Sequence, residues 1–238
     1  MGSLMYEEIK RLANQLQVQH TGVADLSLAK EAVREQGGEF AAKFPYCVSL
    51  GIVLPHAIVD MLPQREQRAV QISYRSHAYD VINDRLNDAA SRVASLIQAN
   101  RYSAMPISST AHISDENLSA LFSHKLGAHL AGLGWIGKSC LLVTKENGPR
   151  VRFVSVLTDA PLTPTGAPME QRCGDCMECV NICPVHAFTG RNFKAGEPRE
   201  ARYDAHKCNA YFNSLEAQGK LTVCGMCLFA CPHGRRFH

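Results

Sequence analysis

Eight of the ten cysteines in this 238-residue chain lie beyond residue 170, and their spacing constrains the fold more than any other feature of the sequence. The first run reads Cys173-x2-Cys176-x2-Cys179-x3-Cys183-Pro184. Its short steps let three thiolates reach three corners of one iron-sulfur cube, while the fourth, held by the following proline, points to a second cube. A second run, Cys224-x2-Cys227-x3-Cys231-Pro232, repeats the ending with one cysteine fewer, and the isolated Cys208 supplies the missing ligand. Crossing the ligands as two-cluster proteins do gives one 4Fe-4S cluster on Cys173, Cys176, Cys179 and Cys231. The other falls on Cys183, Cys208, Cys224 and Cys227. Structural zinc is the competing reading, because paired C-x2-C steps also build tetrahedral sites, but zinc needs neither the third cysteine in register nor the two Cys-Pro endings. Cys47 and Cys140 lie in apolar segments, where a free cysteine behaves as a small core hydrophobe, and neither is assigned a role.

The rest of the composition is that of an ordinary globular chain. A formal charge of +3 and a pI near 8.3 name no partner, and no run of like charge suggests a nucleic-acid tail or a basic membrane face. No apolar stretch approaches the roughly 18 residues that span a bilayer, and the N-terminus lacks a signal pattern, so a cytoplasmic protein without a membrane partner is expected. In that compartment thiols stay reduced, which favours metal over disulfides.

Met1 to Leu4 are set aside as a start-site remnant. Ile9, Leu12, Ala13 and Leu16 repeat at helical spacing, and Cys47 to Leu54 reads as a buried strand between Pro45 and Pro55. The longest helical pattern, Ile82, Leu86, Ala89, Val93 and Leu96, runs from about Ala78 to Asn100. A further helix is expected from Asn117 to Ala131, capped by Ser114 or Asp115, and then a β-hairpin of Ser139 to Thr144 with Val151 to Thr158 around Asn147-Gly148. Pro161, Pro164, Gly166 and Pro168 read as a linker. The expected organisation is therefore an α+β core over residues 5–167 and a ferredoxin-like module over 168–238.

Gly132-Leu133-Gly134-Trp135-Ile136-Gly137-Lys138-Ser139 satisfies two phosphate-binding strings at once. Both mechanisms need a strand entering the loop and a helix leaving it, so that helix N-terminal amides meet the phosphates. Here a helical pattern enters and extended residues leave, which rejects a nucleotide site. The glycines still permit close backbone approach or positive φ, so either a flat ligand or a tight helix-to-strand turn fits them.

His129-Leu130-Ala131-Gly132-Leu133-Gly134-Trp135-Ile136-Gly137-Lys138, then Thr158-Asp159 and eight cysteines in this order, resemble epoxyqueuosine reductase, a family related to reductive dehalogenases. The resemblance covers roughly residues 40 to 233. It implies a nitroreductase-like mixed core that holds a cobalamin beside two 4Fe-4S clusters. The leading reading is a corrinoid iron-sulfur oxidoreductase fed by reduced ferredoxin or flavodoxin, with a small-molecule substrate expected because the chain departs from the family's pattern. By the same resemblance Gly132, Leu133, Gly134, Trp135, Gly137, Lys138, Ser139 and Leu141 line the corrin, with Tyr74 and the Ser108 to Thr110 segment, Ser109 at its centre, opposite. The family's aspartate proton donor in an Asp-Ser-Ala-Pro-like context is absent, and His112 and Asp115 are the nearest replacements as catalytic residues. The chain ends at His238 without the helical-repeat tRNA-binding domain of many members, which argues against tRNA as substrate. Two other readings follow from the same residues: an electron carrier or cobalamin-reducing partner with no substrate chemistry, and a flavin- or nucleotide-dependent reductase.

Overall fold

The computed structural model describes residues 2–111, 113–114 and 116–235. Among the described residues are six strands, β1 (His20–Asp25), β2 (Tyr46–Val53), β3 (Ala104–Ile107), β4 (Trp135–Ile136), β5 (Leu142–Val143) and β6 (Val151–Thr158), together with helices. Four strands form one sheet in the order β1-β2-β6-β3, and β4 and β5 form a separate pair. Two compact units emerge. The first comprises Met1–Ile52, Asn83–Gly134 and Arg152–Met169, and the second Val53–Ile82, Trp135–Val151 and Glu170–His238. The cysteine-rich segment thus shares its unit with two stretches from earlier in the chain.

In the first unit the sheet follows from side-chain chemistry. Residues 47–52 of β2 are all buried, as expected for a central strand covered on both faces. β1 pairs antiparallel with it, Val23 opposite Val48, and β3 pairs antiparallel with β6, Met105 opposite Leu157. β3 contains Pro106, which cannot donate to a ladder and is tolerated because β3 is an edge. The same proline hid this strand from sequence reading. The helix Gly2–Gln15 buries Ile9 and Ala13 as expected, and Gly2 to Leu4, set aside as a remnant, belong to it.

The strongest helical pattern is present as Ile82–Ala99, with Leu86, Ala89, Val93 and Ile97 completely buried and an Asp88–Arg92 pair at 2.8 Å on the outer face. Truncating Leu86 or Ile97 to alanine costs on the order of 2–5 kcal/mol. Upstream of it, residues expected to begin the same α-helix at Ala78 instead belong to a π-helical segment, Tyr74–Val81, that follows the helix Arg68–Ser73. The helix expected from Asn117 is shorter, His124–Leu130. Its first part is preempted by a Ser114–Ser119 bridge and by Leu118 at φ +47°, a left-handed conformation incompatible with a continuing helix. Ser114 Oγ accepts from Asn117 N inside that turn rather than capping a helix, and Asp115 lies outside the described residues.

The expected hairpin does not form. A Thr144–Gly148 bridge does close a turn at Asn147-Gly148, but β5 pairs with β4, and β6 joins the large sheet. No helix among the described residues is long and apolar enough to cross a membrane.

His124 ties the helix His124–Leu130 into this sheet. Its Nε2–H donates to Ser108 O at 3.1 Å, which leaves Nδ1 to accept from Ser155 Oγ at 3.0 Å. Burial holds its pKa below the ordinary imidazole value. The unfolded chain therefore takes up the proton first, and stability that is full above about pH 6.5 is lost as pH falls below it. Thermal melts across pH 7.5 to 5 are expected to show a steeper decline for the native chain than for His124→Gln; equal slopes would remove His124 from the account.

Candidate metal centre

The second unit presents the cysteines in two sets. Burial is the main cause that raises the Cys179 thiol to about 12, with the neighbouring Cys173, Cys231 and Cys176 adding to it. Cys231 is raised to about 11 by burial and then by Cys173 and Cys176. These four thiols share one neighbourhood. Cys227 is raised by burial and then by Cys224, Cys208, Cys179 and Cys183, while Cys224 feels Cys208 and Cys183 after its own burial. The second set is therefore Cys183, Cys208, Cys224 and Cys227, with Cys179 and Cys227 close enough to link the sets. Thiols this reluctant to ionise become thiolates only when a bound cation compensates them.

Among the described residues, no three His, Cys, Asp or Glu side chains converge as closely as one metal ion requires. A cubane attaches each thiolate to a different corner iron, so its ligands stand further apart than the four around a single zinc.

Backbone and hydroxyl donors surround the sulfurs. The Ala187 amide donates to Cys183 Sγ at 3.4 Å, the amides of His233 and Gly234 to Cys231, that of Met226 to Cys224, and the Tyr203 hydroxyl bonds Cys208. Cys208 stands near the start of the helix Ala205–Ala217, whose N-cap Asp204 accepts from the Lys207 amide. That position also lends the positive end of the helix dipole to a thiolate.

Earlier segments of the same unit brace each cysteine loop. A methyl added to Gly137 would lie 3.5 Å from Cys173 Sγ and 3.0 Å from Val143, so the glycine lets β4 and its turn approach the first loop. Lys138, 6 % exposed, donates from Nζ to Gly174 O at 2.8 Å and Cys176 O at 3.1 Å. Trp135, 1 % exposed, stands edge-on to His233 at 4.8 Å, and its indole N–H is buried without a hydrogen-bond partner. Gly148, at φ +57°, abuts the His233–Gly234 backbone, where a methyl would meet Gly234 N at 2.4 Å. Beside it Arg150, 1 % exposed, ion-pairs with Asp60 at 2.7 Å. On the second loop, Leu62 and Tyr74 pack over Gly225, and the charge of Arg65 reaches Cys224.

The glycine-rich turn packs closely against other parts of the chain. Gly132, at φ +76°, closely approaches the chain's own Gly166–Ala167 backbone, and the Gly134 carbonyl is hydrogen-bonded by His129 Nδ1 at 3.1 Å. Trp135, Gly137 and Lys138 turn toward the cysteine loops, and Tyr74 does likewise from the π-helical segment. Ser139 is buried, whereas Leu141 is partly exposed. In the first unit Leu133 is partly buried against the core, and Ser109 donates its amide to Asn87 Oδ1 at 3.0 Å. His112 and Asp115 lie outside the described residues. Sequence reading missed Arg65 and Arg150, because nothing in the string says that Arg150 and the Arg65 Nε are buried.

The comparisons agree with this geometry. Residues 172–234 match the family model described as a 4Fe-4S double cluster binding domain. Over 120 residues the chain is 32 % identical to an epoxyqueuosine reductase of Vibrio cholerae, a match covering 45 % of this chain and 30 % of that protein. The matched stretch is about a third of the length of the curated relatives. An epoxyqueuosine reductase solved with an epoxyqueuosine-modified tRNA stem loop shares the fold at TM-score 0.65 and 17 % identity, covering 100 % of this chain and 68 % of its own. A reductive dehalogenase associated with B12-dependent dehalogenation does so at TM-score 0.67 and 20 % identity, covering 97 % and 32 %. The fold is thus a mixed helix-and-sheet one shared with both groups, and the sequence resembles epoxyqueuosine reductase. Since one solved protein of this fold was captured with tRNA, the expectation against tRNA loses its ground.

Two substitutions test the bracing. Arg150→Met, which removes the buried guanidinium that ion-pairs with Asp60, is expected to lower the free energy of chemical unfolding. Gly148→Ala, which combines a left-handed φ with a backbone clash, is expected to lower the thermal midpoint and reduce iron retention on dilution; wild-type iron retention would show that the turn does not support the Cys231 loop.

Proposed function

We propose that the chain is the electron-transferring, corrin-associated part of a cytoplasmic reductase resembling epoxyqueuosine reductase. Single electrons from reduced ferredoxin or flavodoxin pass through two 4Fe-4S clusters toward the reacting centre. The observation that carries this reading is the partition of eight thiols into two electrostatically linked sets that match the crossed ligation read from their spacing. Cys173, Cys176, Cys179 and Cys231 hold one cluster, and Cys183, Cys208, Cys224 and Cys227 the other. The buried, unpartnered Trp135 N–H and the Lys138 ammonium suit an anionic sulfur-rich group beside them.

The cobalamin is supported by the resemblance and by the B12-dependent dehalogenase of the same fold. A corrin would supply a cobalt that accepts electrons one at a time and attacks or reduces a substrate. This chain's contribution is to bury the clusters away from water, to fix their order, and to hold Gly137 and Lys138 against the first cysteine loop. A nitroreductase-like core is the reading of the first unit that accords with this assignment. A tRNA-borne base and a small molecule are both substrates of the chemistry, and His112 or Asp115 is the proton donor in this scheme.

Protein purified without oxygen is expected to be brown, with about eight irons per chain and an added corrin absorbance after cobalamin loading. A flavin spectrum, or a corrin that does not co-elute, would overturn the corrin assignment. Cys208→Ala is expected to lower iron per chain by about half, since only the second set uses it; unchanged iron would end the crossed ligation.

A further inference from the structure

The Lys138 ammonium is buried, yet its partners are the carbonyls of Gly174 and Cys176 and, at 3.7 Å, the Met177 sulfur. No carboxylate among the described residues forms an ion pair with it, and Asp175 and Glu178 on the same loop are exposed to water. A buried cation without a countercharge is costly, and carbonyl dipoles offset only part of the penalty. The loop it grips carries Cys173 and Cys176, and the adjoining Gly137 lies against Cys173 Sγ. A 4Fe-4S cluster on four thiolates is net negative and gains one more negative charge on reduction. The missing countercharge and the anion therefore occupy the same place.

We propose that Lys138 is a positioning and potential-setting residue for the cluster on Cys173, Cys176, Cys179 and Cys231, raising its reduction potential relative to the other cluster. The inference rests on the two-cluster reading above. Its two roles come from one geometry. The hydrogen bonds hold the cysteine loop in the form that receives the cluster, and the charge stabilises the reduced cluster more than the oxidised one. The second set has a different cation, Arg65, whose Nε is buried without a hydrogen-bond partner and whose charge favours the Cys224 thiolate. Each cluster thus has its own nearby positive group, so removing one should act on one potential. This also explains why a string that satisfies the phosphate-loop pattern ends in lysine here: the ammonium is already engaged by the cysteine loop.

The test is a redox titration of oxygen-free holoprotein, followed by electron paramagnetic resonance, in wild type, Lys138→Gln and Lys138→Arg, with iron measured on each sample. Glutamine can still donate to the two carbonyls but carries no charge. Expected is full iron in Lys138→Gln with one cluster's midpoint lowered, its reduced-to-oxidised ratio at fixed potential falling roughly tenfold, which is about 59 mV for one electron. The other cluster should hold its value, and Lys138→Arg should stay near wild type. Two unchanged midpoints, or two that move equally, overturn the proposal. Should the glutamine variant lose iron, Lys138→Arg decides: retained iron at the wild-type potential supports the role of charge, and a lowered potential contradicts it. Wild-type protein without iron would instead overturn the two-cluster reading itself.

Discussion

Burying eight sulfurs in a small volume is the demand on which the rest of this structure depends. Uncompensated, such thiols resist ionisation, as the upward shifts of Cys179, Cys227 and Cys231 show, with burial the first cause in each. The chain meets the demand with amide and hydroxyl donors to sulfur, a helix start at Cys208, and cations placed beside the loops. Those groups come from three separated stretches of sequence, which is why the cysteine-rich segment shares a compact unit with Val53–Ile82 and Trp135–Val151 instead of standing alone. A cluster-binding segment braced in this way is coupled to the fold around it: disturbing a turn such as Gly148 disturbs the cysteine loop it touches.

The same demand gives the glycine-rich turn its character. Gly132 admits the chain's own backbone, Gly137 admits a cysteine loop, and Trp135 and Lys138 point into the cluster-bearing unit. Small residues that would cradle a phosphate elsewhere serve here as close-packing points. The turn that the resemblance assigns to a corrin is also the turn whose Gly137 and Lys138 meet the first cysteine loop.

Much of this was legible in the sequence, for identifiable reasons. Thiolate spacing carries over into geometry because the short C-x2-C steps leave little conformational choice, and in the fold Cys179 lies near Cys173, Cys176 and Cys231 while Cys227 lies near Cys224, Cys208, Cys183 and Cys179. The buried strand at Cys47 and the helix at Leu86 announced themselves through unbroken apolar and 3.6-residue patterns. What escaped was non-local. Asn147-Gly148 does form a turn, but nothing in Leu142–Val143 says that its partner lies upstream at Trp135–Ile136. Pro106 disguised an edge strand, and Leu118 broke a helix through a backbone conformation that its side chain does not advertise. The role of Lys138 was hidden because its partners are carbonyls, which every residue possesses.

The central claim is that two cubanes sit side by side on crossed cysteine sets, and the dithionite-reduced, oxygen-free protein tests it most directly by electron paramagnetic resonance. The account predicts a spectrum integrating to about two spins per chain and broadened by magnetic interaction between neighbouring clusters. A colourless, zinc-loaded protein with no such signal, or one isolated spin per chain, would contradict it.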